Sequence, residues 1–336
     1  MLASLALLAA LTALPLLIPP FWTANILGRA IAYGIVAMSL TFLATYGGFV
    51  SLAQTMMGGV AGYVAAVLVP DSLPSLVGGV PYAAAVPIAL LAATASGLLI
   101  GAIAVRTQGI YLLMITLALA MGFHLFAQAN IAWFNGYEGI RNVVGPEVLG
   151  RPFRDPFVFY YAALASAALL YALVLYVVRT PFGLVLQGLR DNARRVNALG
   201  YHAALHRIAA FGLAGFIAGC GGLLVTFYNI GITPGSIGLG PTVNVLVMSV
   251  IGGLGHPIGA FIGALIFTLF DTFAADLYDR DRFNTLVGLV FLLIVLASPD
   301  GVLGVAKRAT AALRGRRRPV AAGDAPGSGA PLAAED

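Results

Sequence analysis

Long apolar runs, separated by short polar or glycine-bearing stretches, dominate the chain. Runs near 2–19, 24–45, 50–69, 82–104, 109–129, 157–178, 209–229, 257–275 and 284–304 approach the roughly 20 residues an α-helix needs to span a bilayer. A further piece, about 241–252, is too brief for a straight crossing and reads as a half-helix or as part of its neighbour. The pattern predicts an all-α polytopic membrane protein with about 8–10 transmembrane helices, some of them broken or re-entrant.

Composition agrees. The 336 residues are 60% hydrophobic and 9% charged, where a soluble domain carries about 25% charged residues. So few charges cannot clothe a water-facing surface, and lipid must serve as solvent. The 41 glycines suit close packing of helices in lipid. The single cysteine, Cys220, excludes an intramolecular disulfide and a cysteine-based metal cluster. The first apolar run lacks a basic leader and a small-residue cleavage site, and reads as a helix that stays.

The net charge of +5 sits in two clusters, Arg179 to Arg207 and Lys307 to Arg318. In a membrane protein such clusters mark the cytoplasmic face and do not indicate nucleic acid. The mixed loops near 130–156 and 276–283 then fall outside, and ten crossings leave both termini in the cytoplasm. Arg29, placed outside, runs against this bias. Residues 1–306 form the predicted transmembrane domain, and 307–336 a tail, first basic and suited to anionic lipid, then Pro/Gly-rich and disordered.

Ionisable groups are nearly missing from the spans. His124 lies inside one, with Arg106 and Asp271 near helix ends. A charge at mid-bilayer costs at least about 2.5–3.5 kcal/mol, so a carrier driven by protons would show more of them. His124 reads as a hydrogen-bonded packing residue. No group resembles an enzyme's nucleophile or metal cluster; the acids Asp276, Asp279 and Asp281 read as a solvated loop. Uncharged polar residues do occur: Thr41, Thr45, Ser51, Gln54, Thr55, Thr116, Asn244 and Ser249. They serve either as interhelical glue or as the lining of a solute path, for which Ser51, Gln54, Thr116 and Asn244 are the candidates. Gly47-Gly48, Gly58-Gly59 and Gly62 are expected to interrupt the early spans. Gly252, Gly253, Gly255 and Pro257 are expected to interrupt the late ones.

The loop at about 179–208 carries the densest signal. After a turn at Pro181 and Gly183, Leu184 to Leu199 reads as an amphipathic helix with Val185, Leu189, Val196 and Leu199 on its apolar side. Gln187, Arg190, Asp191, Arg194 and Arg195 make the polar side, and Asp191 is spaced to pair with Arg194 or Arg195. Gly200 stands where a C-terminal cap belongs. Such a helix either floats at the lipid interface or plugs into a cytoplasmic partner. His202 and His206 have metal-like spacing without the Glu of a zinc hydrolase motif.

Thr180-Pro181-Phe182-Gly183, Leu189-Arg190-Asp191-Asn192-Ala193-Arg194-Arg195 and Ala198-Leu199-Gly200 resemble the cytoplasmic loop of LivM-type permeases of branched-chain amino acid ABC transporters. Arg106-Thr107-Gln108-Gly109-Ile110-Tyr111, the block Val250 to Gly255 with Pro257 to Ala260, and Ala297 to Gly304 follow the same family in order, covering about residues 25–306. Two blocks depart from it, Gly48 to Gln54 and Phe134 to Ile140, and they bear on the solute. The resemblance implies a pore made with a second permease subunit, ATP-binding subunits docked inside, and an extracytoplasmic solute-binding protein. Pro181, Gly183, Arg190, Asp191, Asn192, Arg194, Arg195, Leu199 and Gly200 would then belong to the ATPase-coupling loop. ATP and magnesium would be handled by the partner, since this chain has no phosphate-binding Gly-x-x-x-x-Gly-Lys loop. The expected solute is a branched-chain amino acid, with urea, short amides or another small organic solute as the alternative. A stand-alone carrier or channel is the competing function.

Overall fold

The computed structural model describes residues 12, 14–16, 18–19, 21–69, 72, 79–147, 150–277 and 301–304. The expected first span, most of the last, the side chains of the acidic loop near 276–283 and the basic tail lie outside these residues. Nine helices are used below: α1 (Trp22–Gly47), α2 (Gln54–Leu68), α3 (Tyr82–Ala104), α4 (Ile110–Ala129), α5 (Pro156–Arg179), α6 (Pro181–Ala198), α7 (Ala203–Asn229), α8 (Leu239–Gly252) and α9 (Pro257–Leu277). Among the described residues, α1, α3, α4, α5, α7 and the stretch 234–252 that ends in α8 are long and apolar enough to cross a bilayer. The chain is an all-α polytopic membrane protein. Among the described residues, one small sheet pairs Ile140 with Ile232 and Arg141 with Gly231, antiparallel.

The sequence explains which faces meet. On α3, Ala85, Ala89, Ala93, Gly97 and Gly101 recur every fourth position and are all buried, while Leu91, Leu98, Leu99 and Ile103 are exposed. The small stripe packs on α7, where Gly215 lies against Gly97 and Gly219 against Ala93. Apolar side chains facing lipid gain nothing from association, so close approach of small residues supplies the packing.

The same order of elements occurs twice. Long α1 is followed by a short non-helical stretch and α2; long α7 is followed by a short strand, a 3-10 turn at Pro234–Ile237 and α8. The short helix and its successor in each half pack on the other half's long helix: α2 and α3 on α7, α8 and α9 on α1. Helix α6 crosses the end of the bundle where α1 finishes and α7 starts.

One expectation needs correction. Gly58, Gly59 and Gly62 do not interrupt a span; they lie inside unbroken α2. Gly58 sits against Ala218 and Gly222 of α7, and Gly59 against Ile237, so these glycines serve helix contact. By contrast, α1 ends at Gly47 with Gly48 at φ 73°, and α8 ends at Gly252 with Gly253 at φ 104°. Pro257 opens α9, where its missing N–H costs no helical bond, and Gly255 lies in the turn between α8 and α9.

Candidate functional site: a surface helix tied to broken helices

Helix α6 begins at once after α5. Pro181 occupies its first turn, and Thr180 Oγ1 donates to the Val177 carbonyl at 2.6 Å. The turn is so tight that a Cβ at Gly183 would strike the backbone of Val177 and Val178. Gln187 Nε2 donates to the carbonyls of Val178 and Gly183 at 3.3 and 3.2 Å, bracing α6 on α5. The apolar side buries Val185, Leu189 and Val196 as a small cluster of their own.

The helix is not straight, as the amphipathic pattern alone predicts. Asn192 has φ −160° and ψ 98°, which divides α6 in two. Its Oδ1 accepts from the backbone N–H of Arg194 at 3.1 Å and of Arg195 at 3.2 Å, the bonding of an N-cap for the second segment. Two further expectations fail for this reason. Asp191 does not meet Arg194 or Arg195, because the kink removes the helical phase; it accepts from Arg190 Nε at 3.1 Å. Leu199 leaves the apolar side and is 76% exposed. Gly200 does cap the helix: at φ 89° it donates to the Asn197 carbonyl at 3.0 Å, and Tyr201 N donates to Val196 at 3.3 Å, a Schellman pair.

Arg190 reaches away from α6. Its Nη1 donates to the Thr45 carbonyl at 2.7 Å, and its stem covers Gly48. Thr45 Oγ1 in turn donates to the Leu254 carbonyl in the α8–α9 turn. One residue of α1 therefore joins α6 to the late glycine break. Beside this tie lies a cavity of about 260 Å³, lined on one side by Leu189 to Ala193 and on others by Gly47 to Phe49, Leu112, Arg207 and Phe211. The Arg207 guanidinium lies over the Phe49 ring at 5.5 Å, and Phe49 stacks on Phe211 at 6.0 Å. Arg207, one of the loop charges in the sequence, lies in the first turns of α7, whose start at Ala203 brings it against the bundle.

Ser51, Gln54 and Thr116 are all buried. Thr116 Oγ1 accepts from Leu52 N at 3.1 Å and donates to Leu112 at 2.9 Å, while Ser51 Oγ accepts from Ala53 N at 3.2 Å. Gln54 is 1% exposed, and neither atom of its amide has a partner. Thr55 Oγ1 meets Thr242 Oγ1 at 2.6 Å, joining the first turns of α2 and α8. Asn244 stands apart. It lines a second cavity, about 70 Å³, with Arg29, Tyr33, Thr268 and Asp271. There Arg29 Nη2 and Asp271 Oδ2 pair at 2.5 Å across α1 and α9, which sequence separation hides.

The histidines are held by local bonds. The Pro234 carbonyl can only accept, so His124 Nδ1 carries the proton toward it at 2.9 Å, and Nε2 accepts from Gln128 at 2.9 Å. His206 Nδ1 bonds the His202 carbonyl at 3.0 Å and its ring stacks on Phe182. Among the described residues no group of His, Cys, Asp or Glu could hold a metal.

The described residues thus form a bundle of membrane helices with a capped, kinked amphipathic helix tied across one end. The family model for the permease component of branched-chain amino acid transport systems matches residues 22–297, and the chain belongs to that family. It is 24% identical over 251 residues to the high-affinity branched-chain amino acid permease protein LivM of Escherichia coli, covering 67% of this chain and 58% of LivM. It is 25% identical over 240 residues to the probable LivM of Methanocaldococcus jannaschii, covering 64% of this chain and 67% of the relative. It is 23% identical over 291 residues to the ribose import permease RbsC of Haemophilus influenzae, covering 84% and 86%. The chain thus spans under two thirds of the Escherichia coli relative's length. No solved structure matches it.

Proposed function

We propose that this chain is the membrane-spanning permease subunit of an ATP-binding-cassette importer in a bacterial inner membrane. Its solute is small and polar, a branched-chain amino acid in the first instance. ATP-binding subunits carrying ATP and magnesium dock on α6 from the cytoplasm, a second permease subunit completes the pore, and an extracytoplasmic binding protein delivers the solute. The observation that carries this reading is the tie from Arg190 to Thr45 and on to Leu254. A partner that pushes α6 moves the end of α1 and the α8–α9 turn together, so chemistry outside the membrane shifts broken helices inside it. The cluster of Arg179, Arg190, Arg194, Arg195 and Arg207 around α6 supports the cytoplasmic placement of that end. The family supports the importer class, and relatives named for ribose as well as amino acids support keeping other small polar solutes as the alternative.

The test is co-purification of the tagged chain after gentle detergent extraction from its native host. Recovery of ATP-binding subunits and a second permease, with ATP-dependent leucine uptake on reconstitution, is expected. Recovery of the chain alone, moving solute in liposomes without ATP, overturns the reading in favour of a carrier or channel.

A further inference from the structure

Among the described residues the buried Tyr63 hydroxyl has no partner, while the serine and threonine hydroxyls near Gln54 are accounted for within the protein. Thr41 and Ser249 bond to backbone carbonyls, Thr55 and Thr242 bond each other, and Ser51 and Thr116 bond neighbouring amides. These are glue. Gln54 differs: one of the most buried polar side chains, it has both a donor and an acceptor idle. A group with two unmet hydrogen-bonding atoms in an apolar interior is costly, and such a group points to an occupant that is not always there.

Its position strengthens the case. Gly58 lies against Ala218 and Gly222 near the middle of α7, which is about 40 Å long. Gln54, one turn earlier, opens α2 at about mid-depth of the bundle. The N-cap residue Ala53 offers no side-chain oxygen to the first turn of α2. Gly238, capping α8, offers none either. The first turns of these two half-helices touch at Thr55 and Thr242. Helix starts carry unpaired N–H groups and a partial positive charge, so this spot favours an anionic group. Phe49, Leu112 and Phe211 are among the residues lining the larger cavity, and Leu112 lies one turn before Thr116 on α4.

We infer that Gln54 and the first turn of α2 form the point at which the transported solute, a zwitterionic α-amino acid on the reading above, is recognised in the membrane. The carboxylate takes the N–H groups at the start of α2 together with Gln54 Nε2. The ammonium donates to Gln54 Oε1. A neutral side-chain amide can serve both charges of one head group, which a carboxylate or a guanidinium in its place cannot. This inference rests on the importer reading above.

The experiment uses the whole complex, with its ATPase and binding protein, in proteoliposomes. Labelled L-leucine uptake and ATP hydrolysis are measured side by side for wild type, Gln54→Leu and Gln54→Glu; Gln54→Met replaces Gln54→Leu if the latter fails to assemble. Leucine moved per ATP is expected to fall about tenfold or more in Gln54→Leu, the loss of a hydrogen bond to a charged group. Co-purification of the ATPase with the variant subunit should match wild type, which a misfolded subunit would not allow. Gln54→Glu should fall at least as far, since it sets a like charge against the carboxylate. Unchanged leucine per ATP in the variants overturns the inference while leaving the importer reading standing. A wild-type complex with no ATP-driven leucine uptake overturns the amino-acid importer reading itself, before any variant is compared.

Discussion

Arg190 on α6 donates a hydrogen bond to the carbonyl of Thr45 at the end of α1, at 2.7 Å. The last carbonyls of a helix have no partner within it, and a cation there also meets the negative end of the helix dipole. The bond joins a surface helix to a membrane helix without burying a charge. Arg190→Ala should therefore cost little stability, below about 1 kcal/mol for a partly exposed group. Transport should respond more. Solute moved per ATP hydrolysed is expected to fall several-fold in the reconstituted complex. Arg190→Lys should fall between the two, because an ammonium lacks the fork that reaches Thr45 and Asp191 together.

Asn192 gives a second handle on the same helix. Its Oδ1 caps the segment that starts after it, through the N–H groups of Arg194 and Arg195. Losing such a cap costs about 1 kcal/mol. In Asn192→Ala, the backbone amides of 193–198 should exchange with solvent several-fold faster, while those of 184–189 stay unchanged. Exchange unchanged throughout would show that the kink does not depend on this side chain.

How much of this was legible beforehand follows from which signals are local. Apolar runs about a bilayer long fix the helices, so Tyr82–Ala104 falls where the run 82–104 predicts it. The cap at Gly200 is likewise a signal within a few residues. The kink at Asn192 escapes because asparagine is tolerated inside a helix, and only its bonding marks it as a cap. That error carries Leu199 onto the wrong side and pairs Asp191 with the wrong arginines. Gly58 and Gly62 read as breaks because sequence alone cannot separate a glycine that bends a helix from one that admits a neighbour. Polar composition singles out Gln54 and Asn244 alike, but only the packing separates the mid-depth start of α2 from the cavity beside Arg29. The Arg29–Asp271 pair spans most of the chain, so no local pattern reveals it.

The α3–α7 seam makes a sharper forecast about glycine. A Cβ added to Gly215 would lie 2.6 Å from the Ala93 carbonyl oxygen, a backbone atom that cannot turn aside. Gly215→Ala should thus force the helices apart and destabilise the bundle by about 1–3 kcal/mol. Gly122 on α4 is the control, since nothing lies within 4 Å of its added Cβ. Gly122→Ala removes a helix-interior glycine and should stabilise by up to about 1 kcal/mol. Thermal unfolding in detergent, read side by side, should move in opposite directions for the two.

The Arg29–Asp271 pair holds α1 to α9 far from α6, with the two side chains 32% and 27% exposed. Arg29 also lies over the Tyr33 ring at 5.7 Å. Opposite charges this close offset much of each other's desolvation, but either one alone would be left in an apolar setting with nothing to neutralise it. Each single variant, Arg29→Met or Asp271→Leu, should cost about 1–3 kcal/mol, reduced from a fully buried pair by the partial exposure. The double variant should recover a large part of that loss, because two apolar side chains then face each other across the seam. Unfolding of all four proteins in the same detergent closes the cycle. Losses that simply add in the double variant would show that the two charges do not support one another, and that α9 is held to α1 by the apolar contacts around them.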